Sequence, residues 1–309
     1  MMFLSFLAIL SNLATVSSIF HEDFCDPAVF LEEFDVEANV CWIQMIGRRA
    51  LKELKIDVLQ VGFYMEDVDL LDPTRSKSTN LMVNYRNITR DFEFNNFQWI
   101  EHEKSAVMLK YQDKYLKFLF VYRHDGQVRQ ELHVAKKAFD TFGVYELTLA
   151  RYSPFLQQIF VVFLDKNRKI SILERYRLIT TARGFLVKKL KRQYLGRHVT
   201  DLAVDRLAND LVGLVRQPIG QMILRGQLVN DTVLMEKIAE TGVNSRLVAV
   251  KEEHLLMVVD HPRHGEEVVM YNMANMTSSS CLYRIGRGLE PIFKRFSIVC
   301  EDRNTTLAI

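Results

Sequence analysis

Apolar and polar positions along the chain fall into short blocks rather than long helical stripes. A recurring unit has three parts: a short apolar strand ending in a polar residue, a strongly apolar strand, and a third, alternating strand, with turns between them. The clearest copy runs through Asp201–Asp205, Leu211–Val215 and Gly220–Leu228. The next runs through Arg246–Val250, Leu255–Val259 and Gly265–Met270. Upstream lie Ala106–Leu109, Tyr115–Phe120 and Gly126–Leu132, then Glu146–Leu149, Ile159–Phe163 and Lys169–Leu173. Two weaker copies come first: Phe34–Glu37, Val40–Gln44 and Ala50–Leu54, then Val68–Asp72, Asn80–Val83 and Arg86–Thr89.

Anchoring each copy on the first apolar residue of its third strand gives Ala50, Ile88, Val128, Ile170, Met222 and Val268, at intervals of 38, 40, 42, 52 and 46 residues. A small twisted sheet cannot bury both of its faces alone. Repetition at about 40 to 50 residues is how propeller blades stack around an axis and protect their edges. The expectation is an all-β, six-bladed β-propeller-like domain over residues 19–309, with cysteine-containing segments closing it at both ends. An irregular α+β fold is the competing reading. Asp26-Pro27 resembles a helix start before Ala28–Ile46, and Leu207, Leu211, Leu214 and Val215 lie near helical spacing.

The skeleton of apolar-Ala-Val-Asp, aromatic strand and alternating strand is best seen at Leu202-Ala-Val-Asp205 and across Phe34–Leu54. It resembles the six-bladed propellers of the low-density-lipoprotein-receptor YWTD class. The tetrapeptide itself is absent: the matching strands read Cys41-Trp-Ile-Gln44, Leu81-Met-Val-Asn84 and Leu211-Val-Gly-Leu214. The resemblance implies architecture and not that family's ligands.

Residues 1–20 carry no charged side chain, have an apolar stretch at Phe3–Leu13 and then small residues at Ala14, Ser17 and Ser18. This is the layout of a signal peptide over residues 1–18, and it predicts a secreted, extracellular protein. An uncleaved N-terminal anchor is the alternative. Every other apolar run is broken by charge too soon to span a bilayer. In a secreted chain the acceptor tripeptides at Asn87, Asn230, Asn275 and Asn304 become glycosylation candidates. Cys25, Cys41, Cys281 and Cys300 form no CxxC and are expected to make two disulfides. Of the three connectivities, the local one (Cys25–Cys41, Cys281–Cys300) is preferred, and a Cys25–Cys300 tie between the chain ends is its rival.

Forty Lys and Arg stand against 38 Asp and Glu in 309 residues. A balance this even gives no reason to expect a nucleic-acid partner. The one strong asymmetry is the stretch from Arg175 to Arg197, which has no acid after Glu174. Its Arg183, Lys188, Lys189, Lys191, Arg192 and Arg197, interleaved with Phe185, Leu190 and Tyr194, are candidates for an anionic partner, either an extracellular protein or a sulfated glycan. Because it falls in the longest interval, it reads as an inserted loop or hairpin. An edge strand that uses Lys to block pairing has the same composition.

There is no GxSxG, P-loop, HExxH or GxGxxG, so no catalytic centre or cofactor is expected. Asp260, His261 and His264 cluster at a turn but are read as a solvated hairpin rather than a metal site. Asp35, Asp72 and Asp205 end the first strands of their units. They read as turn caps, or, if gathered around a central tunnel, as ligands of a metal-dependent esterase or lactonase. The functional expectation is a binding module for another macromolecule, with that hydrolase as the alternative.

Overall fold

The computed structural model describes residues 39–47, 51–57, 62–68, 97–100, 105–112, 115–122, 128–135, 144–205, 208–263, 265–275, 277–286 and 293–302. Every regular element among them is a strand. Each sheet is antiparallel and four-stranded, and there are five of them among the described residues. One is built from β4 (Phe97–Ile100), β5 (Ser105–Gln112), β6 (Tyr115–Tyr122) and β7 (Val128–Ala135), in that order. The next contains β8 (Tyr145–Ser153), β9 (Gln158–Asp165), β10 (Ile170–Thr181) and β11 (Gly184–Tyr194). Then come β12 (Val199–Val204), β13 (Asp210–Arg216), β14 (Gln221–Val229) and β15 (Thr232–Thr241), followed by β16 (Arg246–Lys251), β17 (His254–His261), β18 (Gly265–Asn272) and β19 (Thr277–Gly286).

The fifth sheet joins the two ends of the described chain. Its β1 (Asn39–Gly47), β2 (Leu51–Asp57) and β3 (Gly62–Val68) are sequential, but β1 is flanked on its other side by β20 (Phe293–Asp302). The register of that pair sets Cys41 opposite Cys300. The first strands of successive sheets, β4, β8, β12, β16 and β20, neighbour one another in that order. The fold is therefore an all-β, propeller-like arrangement closed by a strand from the far end of the chain. The expected unit at Val68–Thr89 lies almost wholly outside the described residues.

The packing explains the strand pattern. In β9 six consecutive side chains, Gln158 to Phe163, are buried, and β13 is buried from Asp210 to Val215. A middle strand has a neighbouring sheet on each face, so alternation gives way to continuous apolar sequence. Successive residues serve opposite interfaces. Val161 and Phe163 pack with Phe118, Phe120 and Tyr176 between the β4–β7 and β8–β11 sheets. Phe160 and Val162 pack with Leu202, Leu211 and Leu224 on the other side. Val212 and Leu214 continue the series against Leu247, Leu255 and Met257. Phe118 meets Tyr176 edge-on at 5.3 Å, and Phe120 stacks on Phe185 at 4.3 Å. Such pairs add about 0.5–1.5 kcal/mol to the area they bury.

Two expectations change. The unit has four strands, not three: β11 and β15, the fourth strands of their sheets, are largely solvent-facing and carry weak apolar patterns, whereas in the β4–β7 sheet the expected unit coincides with β5, β6 and β7 and the strand it lacks is the first, β4. The basic stretch is a hairpin but not an insertion: it covers the end of β10 and all of β11, the regular third and fourth strands of their sheet. The helical readings also fall: Asn39–Ile46 lies in β1, and Leu211–Val215 lies in β13.

Candidate functional site

Where the first strands begin, the sheets leave a polar cavity of about 550 Å³. It is lined by the entrances of β8 and β12, the β13–β14 turn and the segment leading into β16. Its floor is a buried ion pair that sequence reasoning did not assemble. The Arg151 guanidinium on β8 donates from Nη2 to Asp201 Oδ1 on β12 at 2.5 Å, from Nε to the Leu202 carbonyl, and from Nη1 to the Ala150 carbonyl. Asp201 also accepts from Leu202 N at 2.9 Å and, through Oδ2, from Leu247 N on β16 at 2.8 Å. One carboxylate thus ties three successive sheets at the axis. The signal available in sequence was only an Arg in one first strand and an Asp in the next.

The wall is cationic. Arg246 pairs with Glu266, and Glu146 pairs with Lys166 at 3.0 Å. Arg216 is exposed, at the end of β13, and has no carboxylate partner among the described residues. Burial, then the charges of Arg216 and Lys169, push the His198 pKa below the usual histidine value, with Glu146 opposing. Two apolar residues of the lining segments are exposed, Val243 in the lining itself and Ile219 between the lining residues Pro218 and Gly220. Ile219 in the β13–β14 turn is 90% exposed and Val243 65%. Gly220 holds that turn in place with φ +81°, where a Cβ would lie 2.6 Å from the Thr241 carbonyl oxygen.

The residues singled out from sequence are scattered. Lys189 and Arg192 turn inward: both bind Glu174, which is completely buried and also accepts from the Tyr176 hydroxyl at 2.5 Å. A bulge in the β10–β11 register puts these two cations on one side of the strand. Burial, followed by the charge of Arg192, lowers the Lys189 pKa from its usual value. Lys191 reaches across to Thr232 at 2.8 Å. Arg183, Lys188 and Arg197 remain exposed. Arg175 is buried and binds the Asp231 carbonyl at 2.7 Å.

Asp205 has the turn-capping role: its Oδ1 accepts from Ala208 N, and its Oδ2 accepts from Glu252 N in the next sheet. Asp35 and Asp72 lie outside the described residues. Asp260 and His261 end β17, and His264 is not described. Among the described residues no group of three or more His, Cys, Asp or Glu side chains comes together. Asn230 and Asp231 form the two-residue turn joining β14 to β15, with φ of 48° and 63°, and Asn230 is exposed. That is the left-handed geometry of a tight hairpin. Cys281 lies on β19 and is disulfide-bonded. Asn87, Asn304 and Cys25 lie outside the described residues.

No family model matches the sequence, and no curated protein matches it. Solved structures do. A prolyl endopeptidase chain is 12% identical with a TM-score of 0.40, covering 97% of this chain and 52% of its own. This chain therefore spans about half the length of that enzyme. A chain of the nidogen/laminin complex is 8% identical with a TM-score of 0.43, over 84% and 98%. A 6-phosphogluconolactonase described as putative, from Bacteroides fragilis, is 9% identical with a TM-score of 0.42, over 86% and 99%.

Proposed function

We propose that this protein is a secreted, N-glycosylated interaction module, a six-bladed propeller whose axial mouth receives another macromolecule. The count of six rests on the repeats read in the sequence, of which the second, Val68–Thr89, lies almost wholly outside the described residues. The observation that carries the binding role is the composition of the mouth. A polar cavity is bordered by the exposed side chain of Val243, and the turn that lines it through Pro218 and Gly220 also carries the exposed Ile219. Exposed apolar residues beside convergent polar groups are the makings of a recognition surface, since a partner that covers them gains the burial they lack.

The carboxylate at the heart of the mouth suits this role better than hydrolysis. Asp201 already accepts three N–H donors, one of them the Arg151 guanidinium that balances its charge, so both lone pairs of Oδ1 and one of Oδ2 are engaged in holding the sheets together.

The test compares three secreted forms on a displayed panel of extracellular proteins and on a heparin matrix: wild type, Ile219→Ser/Val243→Ser, and Ile179→Ser/Leu186→Ser at the outer edge. Binding lost only in the first variant supports the mouth. Equal behaviour of the two variants overturns it. Heparin retention that depends on Arg183 and Lys188 moves the binding surface to the β11 edge. A calcium-dependent rise in thermal stability supports the esterase or lactonase reading instead.

A further inference from the structure

Arg216 and Gln221 are Cα partners on the last rung of the β13–β14 hairpin. Directly opposite residues send their side chains to the same face, about 5 Å apart at Cβ. Both line the mouth cavity. Gln221 is only 6% exposed, and its Nε2 donates to Thr200 Oγ1 at 3.0 Å. The Thr200 hydroxyl donates its own proton to the Leu214 carbonyl. Thr200 can therefore only accept from Gln221, which fixes the orientation of the amide. Gln221 Oε1 is then a buried acceptor, and it has no hydrogen-bond partner. Native proteins seldom leave such a group unsatisfied.

Beside it, Arg216 is a cation with no carboxylate partner among the described residues, whereas the cavity's other two guanidinium groups are neutralised by Asp201 and Glu266. The His198 carbonyl accepts from Arg216 N, which fixes the backbone from which the Arg216 side chain enters the cavity.

An unfilled acceptor next to an unpaired guanidinium asks for a ligand that carries an N–H donor and an anion side by side. We infer that the mouth binds a peptide carboxylate with its adjacent backbone amide: the carboxylate on Arg216, the N–H on Gln221 Oε1. This rests on the interaction-module reading and names the chemistry of its partner. Two sources carry that pair on one residue: the C-terminal residue of a chain, or an internal Asp. The neighbouring side chain of the ligand would rest against Val243, which lines the cavity, and so exclude water from the ion pair and strengthen it.

The probe is an immobilised library of random hexapeptides made in three formats: free C-terminal acid without internal Asp or Glu, C-terminal amide without Asp or Glu, and C-terminal amide with one central Asp. The wild-type protein is expected to be retained at least 10-fold more strongly on one carboxylate-bearing format than on the acid-free amide. Preference for the free acid identifies a chain terminus; preference for the Asp format identifies a side chain. Arg216→Gln and Gln221→Leu should each weaken that retention 10-fold or more, with unfolding transitions checked to be cooperative. Weakening by Arg216→Gln alone assigns mere charge attraction and overturns the paired recognition. Equal retention on all formats, or on none, also overturns it. If Ile219→Ser/Val243→Ser still abolishes capture of an extracellular protein in that case, the module reading stands and only the carboxylate assignment falls.

Discussion

Replacing Asp201 by Ala should be among the most damaging single changes available outside the apolar core. The Asp201 and Arg151 side chains are 10% and 9% exposed, so the substitution strands a guanidinium that the surrounding strands have largely removed from water. Removing one partner of a buried pair costs about 3–5 kcal/mol. Leu247 N loses its acceptor as well, which adds about 1–3 kcal/mol when no water can replace it. Water from the adjoining cavity can reach this site, so the lower end, about 3 kcal/mol, is expected. Asp201→Asn keeps an acceptor and removes only the charge, and should cost less. Urea denaturation followed by intrinsic fluorescence gives the shift in midpoint for each variant. The reasoning demands non-additivity: Arg151→Met/Asp201→Ala should be less destabilised than the sum of its single variants by at least about 1 kcal/mol, because the double change leaves no stranded charge. A loss below about 1 kcal/mol for Asp201→Ala, or strict additivity, would refute the claim that this pair fastens three sheets together.

The Glu174 cluster gives a contrasting pair of variants. Lys189→Gln/Arg192→Gln should lower stability by several kcal/mol in the same denaturation assay, because it removes both cations that pair with a fully buried carboxylate. Arg183→Gln/Lys188→Gln, both exposed, should stay within about 0.5 kcal/mol of wild type. His198 has a folded pKa below its unfolded value of 6.5, so the unfolded chain takes up the proton first. Stability is therefore undiminished above pH 6.5 and is lost as pH falls toward the folded value, and His198→Gln should flatten that part of the pH–stability curve. Non-reducing peptide mapping should recover Cys41 linked to Cys300, the partners set by the β1–β20 register; a Cys281–Cys300 peptide would restore the local pairing. Intact-mass analysis of secreted material, before and after glycosidase treatment, should place a glycan on the exposed hairpin tip at Asn230.

The sequence reveals what the middle of each blade requires and little of what its rims do. Phe160, Val161, Val162 and Phe163 are apolar because both faces of β9 are covered, and a run of that kind is visible without coordinates. The strand β15 was invisible, because Glu236, Lys237 and Glu240 face solvent and obey no packing constraint. The mouth was harder still. Arg151 and Asp201 are 50 residues apart, and nothing local distinguishes either from a surface charge. The basic run misled for the same reason. Lys189 and Arg192 look like neighbours of Lys188, yet a single bulge turns them toward a buried glutamate, and composition carries no record of a bulge.

The strand β20 also bears on how the molecule is made. It is the last of the described strands to leave the ribosome, while its partner β1 is the first. Until Phe293–Asp302 arrives, β1 waits with one row of backbone N–H and C=O groups unclaimed. Pairing of this sheet is therefore completed only after every other described strand has been synthesised. During that wait β1 can accept the equivalent strand of another copy instead, an exchange that yields a swapped dimer from the same hydrogen bonds. Removing Phe293–Asp302 would leave β1 without this neighbour and turn its edge into a template for association.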